Sequence, residues 1–287
     1  MVILIKVEGL FHSYTKEKSY AVKDISFDIA DGEVFGFLGP SGAGKSTTQG
    51  ILTGILPLQK GKASVGEYDL KKRDSSMFNI MGVSFEQSNV YGKLTALENL
   101  EFYSKLFDVK TMDPMELLKL VGLDHVANNK ANTFSKGMKH RLTFVRSMIN
   151  NPKIWFLDEP TTGLDPSIAS TIKNIIRSKN DEGATVFLTT HNMQVADELC
   201  DRVAFIIDGE IKLIDSPRNL KLQYGENLVN VEYVKNNEMI SENLSLIIDE
   251  DKIKLYEIIN NYKVETMHTK EATLEEIFIK VTGRGLQ

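Results

Sequence analysis

Cysteine is almost missing from this chain: Cys200 is the only one in 287 residues. No intrachain disulfide can form, and a reducing, cytosolic compartment is the expectation. Long hydrophobic runs are also lacking. No stretch approaches the roughly 18 to 20 uninterrupted apolar residues of a membrane-spanning helix, so a role at a membrane would need a partner chain. The first ten residues have neither the long apolar core nor the small-residue cleavage site of a secretory leader. Positive charge is not in excess either. Lys and Arg number 34 against 39 Asp and Glu, a formal charge of -5, which gives no compositional support to binding of nucleic-acid phosphates. Compositional bias is absent too: 42% hydrophobic and 25% charged residues are ordinary globular values. These rule against a disordered, collagenous or disulfide-scaffold chain and leave room for one large domain or two smaller ones.

The first two hundred or so residues alternate short apolar runs with helical patterns, the rhythm of an α/β domain with a mostly parallel sheet. Val34–Leu38, Met81–Phe85, Ile154–Leu157, Thr185–Thr189 and Val203–Ile207 are the strand candidates, most of them apolar on both faces, as a strand covered by helices on each side must be. Ile3–Phe11 and Ile25–Ile29 read as strands of a smaller antiparallel layer. From Ser88 to Thr133 helical signals replace strand signals. Thr95 and Glu98 form a capping box ahead of Leu97, Leu100, Tyr103, Leu106 and Phe107, and Asp113 with Pro114 starts a second helix that stops before Gly122. This segment, 88–133, reads as a helical subdomain. A composition change near Pro217 predicts a boundary between a domain of residues 1–216 and a small α+β domain of 217–287. In the latter, Leu228–Val234, Leu244–Ile248 and Val264–His268 read as strands, and Thr273 with Glu276 caps a last amphipathic helix.

The chemistry is concentrated in three places. Gly39, Pro40, Ser41, Gly42, Ala43, Gly44, Lys45 and Ser46 fit G-x-x-x-x-G-K-[ST], directly after a strong strand and directly before a helix running to about Thr53. Phosphates need converging N–H donors and a cation. Glycines let the backbone curl around the anion, the helix N-terminus adds its dipole, and Lys45 adds a full charge, with Ser46 placed to ligate Mg²⁺. In the second place, the run Ile154–Leu157 ends in Asp158 and Glu159, which point to opposite faces of a strand end. A P-loop enzyme needs one carboxylate near Mg²⁺, which suits Asp158, and one near the attacking water, which suits Glu159. Taken alone, the same pattern also fits a strand ending in a solvated acidic turn. The third is a helix beginning at Ser135 and ending near Asn150, with Lys136, Lys139 and Arg141 in its first turns. Cations there oppose the helix dipole, which points to an anion at that end or to a plain solvated basic face.

Tyr14, Gly39–Thr47, Gln87, Phe134–Met138, Ile154–Glu159, Leu164–Asp165 and His191, in this order and spacing, resemble the nucleotide-binding subunits of ABC transporters. The likeness covers residues 1 to about 215. It implies a P-loop ABC ATPase core in which Tyr14 stacks on adenine, Gly39–Thr47 form the Walker A loop, and Gln87 touches Mg²⁺ while sensing the membrane partner. It also implies that Ser135 and Gly137 reach the ATP of a second subunit, that Asp158 and Glu159 are Walker B, that Asp165 bridges the dimer, and that His191 is the switch histidine at the γ-phosphate. The usual signature reads Leu-Ser-Gly-Gly-Gln. Phe134, Lys136 and Met138 depart from it, and Lys136 raises the question whether that position needs a glycine backbone.

Residues Ala272–Arg284 are similar to the tail of drug-export-type subunits, although the same stripe could simply close a small accessory domain. The implied function is an ATPase subunit using ATP and Mg²⁺, paired with an identical or different second ATPase subunit, peripheral on the inner face of the cell membrane. It would drive a separately encoded permease, for export, without nucleic acid. The rival reading is a soluble ABC-type ATPase acting on ribosomes or DNA. Such relatives carry two cassettes in one chain or a long coiled-coil insertion, and neither pattern is present.

Overall fold

The computed structural model describes all residues except 1, 16–18, 73, 226–227, 284 and 286–287. In chain order the first unit, residues 1–216, contains β1 (Ile3–His12), β2 (Val22–Ala30), β3 (Val34–Leu38), α1 (Lys45–Leu52), β4 (Lys60–Val65), β5 (Tyr68–Asp69), β6 (Met81–Ser84), α2 (Ala96–Ser104) and α3 (Pro114–Leu120). It continues with α4 (Lys136–Arg146), β7 (Ile154–Asp158), α5 (Pro166–Asp181), β8 (Thr185–Thr190), α6 (Met193–Leu199), β9 (Arg202–Ile207) and β10 (Glu210–Asp215). The second unit, residues 217–284, contains α7 (Pro217–Tyr224), β11 (Leu228–Lys235), β12 (Glu238–Ser245), α8 (Asp249–Asn261), β13 (Lys263–Lys270) and α9 (Leu274–Thr282).

The first unit is α/β. Six strands run in the order β10-β9-β3-β8-β7-β6, parallel except where β10 turns back antiparallel on β9. A second, antiparallel sheet has the order β2-β1-β4-β5. Alternation along β3 explains how the layers join. Phe35 and Phe37 share one face and meet Phe27 of β2 and Phe187 of β8, with centroids 5.4 to 6.3 Å apart. Each of these fully or nearly buried rings removes enough apolar surface to contribute about 2 to 3 kcal/mol. Gly36 lies on the opposite face, where a Cβ would come 2.7 Å from the Cys200 sulfur. The lone cysteine is thus a buried packing residue whose thiol pKa is pushed up by burial.

Two helix ends fall earlier than the sequence pattern indicates. α2 stops at Ser104, whose hydroxyl donates to the Glu101 carbonyl at 2.8 Å, leaving Leu106 and Phe107 beyond it. α4 stops at Arg146 instead of near Asn150, because Ser147 turns its hydroxyl back to the Phe144 carbonyl at 2.6 Å and accepts from the Trp155 indole at 2.8 Å. The capping boxes at Thr95 and Thr273 and the Asp113 cap form as expected.

In the second unit β11 lies between β12 and β13, and Val231 and Tyr233 pack with Leu244 against Ile258 of α8. The strand expected at Leu244–Ile248 is instead the end of β12. Ser245 stops the ladder there, because its hydroxyl accepts from the Ile247 N–H at 3.1 Å. β12 reaches β11 through Asn236 and Asn237, at φ 54° and 64°, the left-handed pair that a tight two-residue hairpin requires.

Candidate active site

The site lies at the carboxyl ends of adjacent parallel strands, where open α/β sheets collect their ligands. β3 ends at Leu38 and passes into the loop of Gly39–Gly44, which leads directly into α1. Gly44 sits at φ 108°, and a Cβ on it would lie 2.6 Å from the Ala21 carbonyl; a Cβ on Gly39 would lie 2.2 Å from the Ile206 carbonyl. Only glycine fits either place. Gly44 also offers no side chain to cap α1, so the first N–H groups of that helix stay open toward an anion. Lys45 is 8% exposed; its ammonium donates to the Gly39 and Pro40 carbonyls at 2.7 and 2.9 Å. Burial lowers its pKa, while Glu159, Asp158 and Glu86 oppose that shift.

β7 delivers the two carboxylates. Asp158 accepts a short hydrogen bond from the Thr189 hydroxyl and one at 3.4 Å from Ser46, and burial raises its pKa. Glu159 is buried and takes a left-handed backbone, φ 48°. One of its oxygens accepts from the Thr162 and Thr190 hydroxyls, both at 2.9 Å. The other accepts from the His191 N–H at 2.9 Å and lies 2.6 Å from the His191 Nδ1. Thr162 and Thr190 therefore orient the carboxylate that the sequence reading named, although that reading did not name them. The adjacency of Thr190 to His191 was the available signal.

These groups surround a cavity of about 420 Å³ lined by Tyr14, Ala21, Ser41, Gly42, Gly44, Lys45, Ser46, Thr47, Glu86, Asp158, Glu159 and His191. Tyr14 is 64% exposed, meets His12 edge-on at 5.0 Å and hydrogen-bonds Thr47 across 3.0 Å. Gly39, Pro40 and Ala43 shape the loop without lining the cavity. Gln87 does not line it either: its neighbour Glu86 takes that place. The sequence could not decide between the two, because both follow the end of β6 at Ser84, where strand alternation no longer fixes direction.

Ser135, Gly137 and Asp165 lie outside this chain's own cavity. Ser135 caps α4 by accepting from the Met138 N–H at 3.2 Å, and Asp165 caps α5 by accepting from the Ile168 N–H at 3.0 Å. Lys136 is the first residue of α4 and is not among the residues with positive φ, so lysine is accommodated there without backbone strain.

Among the described residues no group of three His, Cys, Asp or Glu side chains forms a ready-made metal cage. The oxygen donors of Ser46 and Asp158 fit the alternative, a hard divalent cation that is completed by phosphate oxygens and water.

A family model described as ABC transporter matches residues 22–162. The chain is similar to the fluoroquinolones export ATP-binding protein of Mycobacterium tuberculosis, 45% identical over 289 residues that cover 99% of this chain and 94% of that one. It is also similar to the linearmycin resistance ATP-binding protein LnrL of Bacillus subtilis, 30% identical over 99% of this chain and 100% of the relative. Among solved structures, the dimer of an ATP-binding cassette in a post-hydrolysis state bound to ADP and Pi superposes with a TM-score of 0.68 at 28% identity, covering 74% of this chain and 98% of that one.

Proposed function

The chain belongs to the ABC transporter family as an ATPase subunit, and from that premise we propose that it drives a separately encoded membrane permease exporting drug-like molecules. The observation that carries the reading is the single cavity in which Lys45, Ser46, Asp158, Glu159 and His191 meet. The names of the two relatives support export. No helix among the described residues is long and apolar enough to cross a membrane, so the transport path is assigned to the partner and the subunit to the cytoplasmic face of the membrane.

Lys45 and the open N–H groups of α1 bind the ATP phosphates, with Ser41, Gly42 and Thr47 lining the loop and Tyr14 offering its ring to the adenine. Ser46 and Asp158 would hold Mg²⁺, which when bound neutralises phosphate charge. Glu159 takes the proton of the attacking water. Thr162 and Thr190 keep its carboxylate aimed, and His191 exchanges its contact with Glu159 for one with the γ-phosphate. Ser135, Lys136, Gly137 and Asp165, which do not line their own chain's cavity, serve the nucleotide of a second ATPase subunit.

Permease coupling runs through the segment that follows β6. Arg146 of α4, buried under the Tyr103 ring at 4.4 Å, donates to the Asn89 carbonyl at 3.0 Å, so a shift of residues 86–89 is transmitted to the helices. Beside that segment lies a groove of about 320 Å³ lined by Phe78, Val83, Phe85, Leu106 and Phe107 among others, of which Phe78 and Leu106 are exposed. An apolar groove suits an element of a membrane partner.

Specific ATPase activity tests the composite arrangement: it should rise with protein concentration and fade on dilution. Full activity from a strictly monomeric chain would contradict it. Lys136→Gly tests the signature end of α4. Because lysine is unstrained there, glycine should bring no gain in activity. Loss of a charge-assisted contact of about 1 kcal/mol should weaken ATP-driven dimerisation about fivefold per site and reduce its salt dependence. Unchanged dimerisation would leave Lys136 as a solvated lysine.

A further inference from the structure

Gln49 is a glutamine inside the core. It lies on α1, one turn beyond Lys45, and is 2% exposed. Its primary amide carries both donors and an acceptor into a place that water does not reach. Among the described residues that amide has one partner: Oε1 stands 3.5 Å from the Thr189 Oγ1, and Nε2 has none. A buried amide so poorly satisfied costs stability, and leucine, of similar size, would avoid that cost. Residues that weaken the fold in this way belong to function.

The function lies across the contact. β7 and β8 pair in parallel with Asp158 opposite Thr189, and the fully buried Thr189 hydroxyl donates to Asp158 Oδ1. The other Asp158 oxygen accepts from Ser46 of α1 at 3.4 Å. A hydroxyl has a single proton. With that proton given to Asp158, the Thr189 oxygen can only accept from a third group. Gln49 meets this need when its amide rotates by half a turn and presents Nε2, since the two ends of an amide have nearly the same shape. The bonds then run one way, from Gln49 to Thr189 and from Thr189 to Asp158. Ser46 and Gln49 share a face of α1, so one helix holds Asp158 by both oxygens, directly through Ser46 and indirectly through Gln49.

Resting on the ATPase reading, we propose that Gln49 is a positioning residue for the divalent cation: acting through Thr189, it orients the Asp158 carboxylate that holds the metal with Ser46, and it does so at the expense of stability. Gln49 does not line the cavity and touches neither nucleotide nor metal itself.

Equilibrium binding of the non-hydrolysable ATP analogue AMP-PNP to the full chain, with excess MgCl₂ and with EDTA, gives a readout independent of turnover. Wild type should bind the magnesium form more tightly. Gln49→Leu should shrink that ratio about tenfold, as loss of an outer partner of a metal ligand does, by weakening the magnesium form alone. Its melting temperature should stay or rise. Thr189→Val should shrink the ratio at least as far, and adding Gln49→Leu to it should change nothing more. Gln49→Met, closer in length to glutamine, supplies the same reading if leucine does not pack. An unchanged ratio in the Gln49 variants overturns the proposal. So does an equal loss of both nucleotide forms with a lower melting temperature, which marks a plain packing role, and so do additive losses in the double variant. Each of these leaves the ATPase reading intact; a wild-type chain that binds neither nucleotide form overturns that reading itself.

Discussion

Glu159→Gln is expected to lower steady-state ATP hydrolysis by about 10²- to 10⁴-fold, the range associated with loss of a positioned general base. The substitution removes the charge that, in the proposed mechanism, accepts the water proton, and it nearly preserves shape. It leaves an amide oxygen that can still accept from the Thr162 and Thr190 hydroxyls, now at 2.9 Å from the carboxylate. The left-handed backbone at this position, φ 48°, is as accessible to Gln as to Glu, so the fold should be retained. ATP affinity should therefore persist while turnover stops. Substantial hydrolysis by the variant, measured as phosphate release, would remove Glu159 from the role of base.

Lys45→Ala should fail at an earlier step. The Lys45 ammonium is buried at the foot of the loop, held by the Gly39 and Pro40 carbonyls at 2.7 and 2.9 Å, and it is the one lysine or arginine among the described residues that line the cavity. Charge-assisted hydrogen bonds contribute about 1.5 to 3 kcal/mol, so nucleotide affinity should fall roughly 10- to 100-fold. Removing the ammonium also takes away positive charge that faces Glu86, Asp158 and Glu159, which works in the same direction. Calorimetric titration separates the two variants, since Glu159→Gln retains nucleotide and Lys45→Ala loses it. Equal affinity of Lys45→Ala and wild type for magnesium-ATP would contradict the assignment.

The α/β core was readable because its strands are short, apolar on both faces and followed directly by the motif residues: Leu38 before the glycine loop, Leu157 before Asp158 and Glu159, Thr189 and Thr190 before His191. Local signals with a specific mechanism also held, such as the capping boxes at Thr95 and Thr273. What stayed hidden depends on tertiary context. α8 carries apolar residues around much of its surface, with Ile253, Tyr256 and Ile259 exposed and Ile258 buried, so no single stripe announces it. The hairpin at Asn236 and Asn237 needs two left-handed asparagines, and neither is a glycine that would have flagged the turn.

At the site, Glu86 and Gln87 are neighbours in the loop beyond β6, where strand alternation has ended, and only the folded chain shows that Glu86 is the one lining the cavity. Thr162 and Thr190 fall between the named motifs, and their hydroxyl contacts to Glu159 arise from two chain segments that converge only on folding.

In the proposed dimer one chain holds two halves of different nucleotide sites: the loop of Gly39–Thr47 for its own ATP, and the start of α4 with Asp165 for a partner's. Sedimentation of Glu159→Gln with and without magnesium-ATP tests this most directly, because the variant keeps the nucleotide in place and removes turnover as a route to dissociation. A dimer is expected with magnesium-ATP and a monomer without it, with a return to monomer when Lys45→Ala is added. A species of the same size under all three conditions would contradict it.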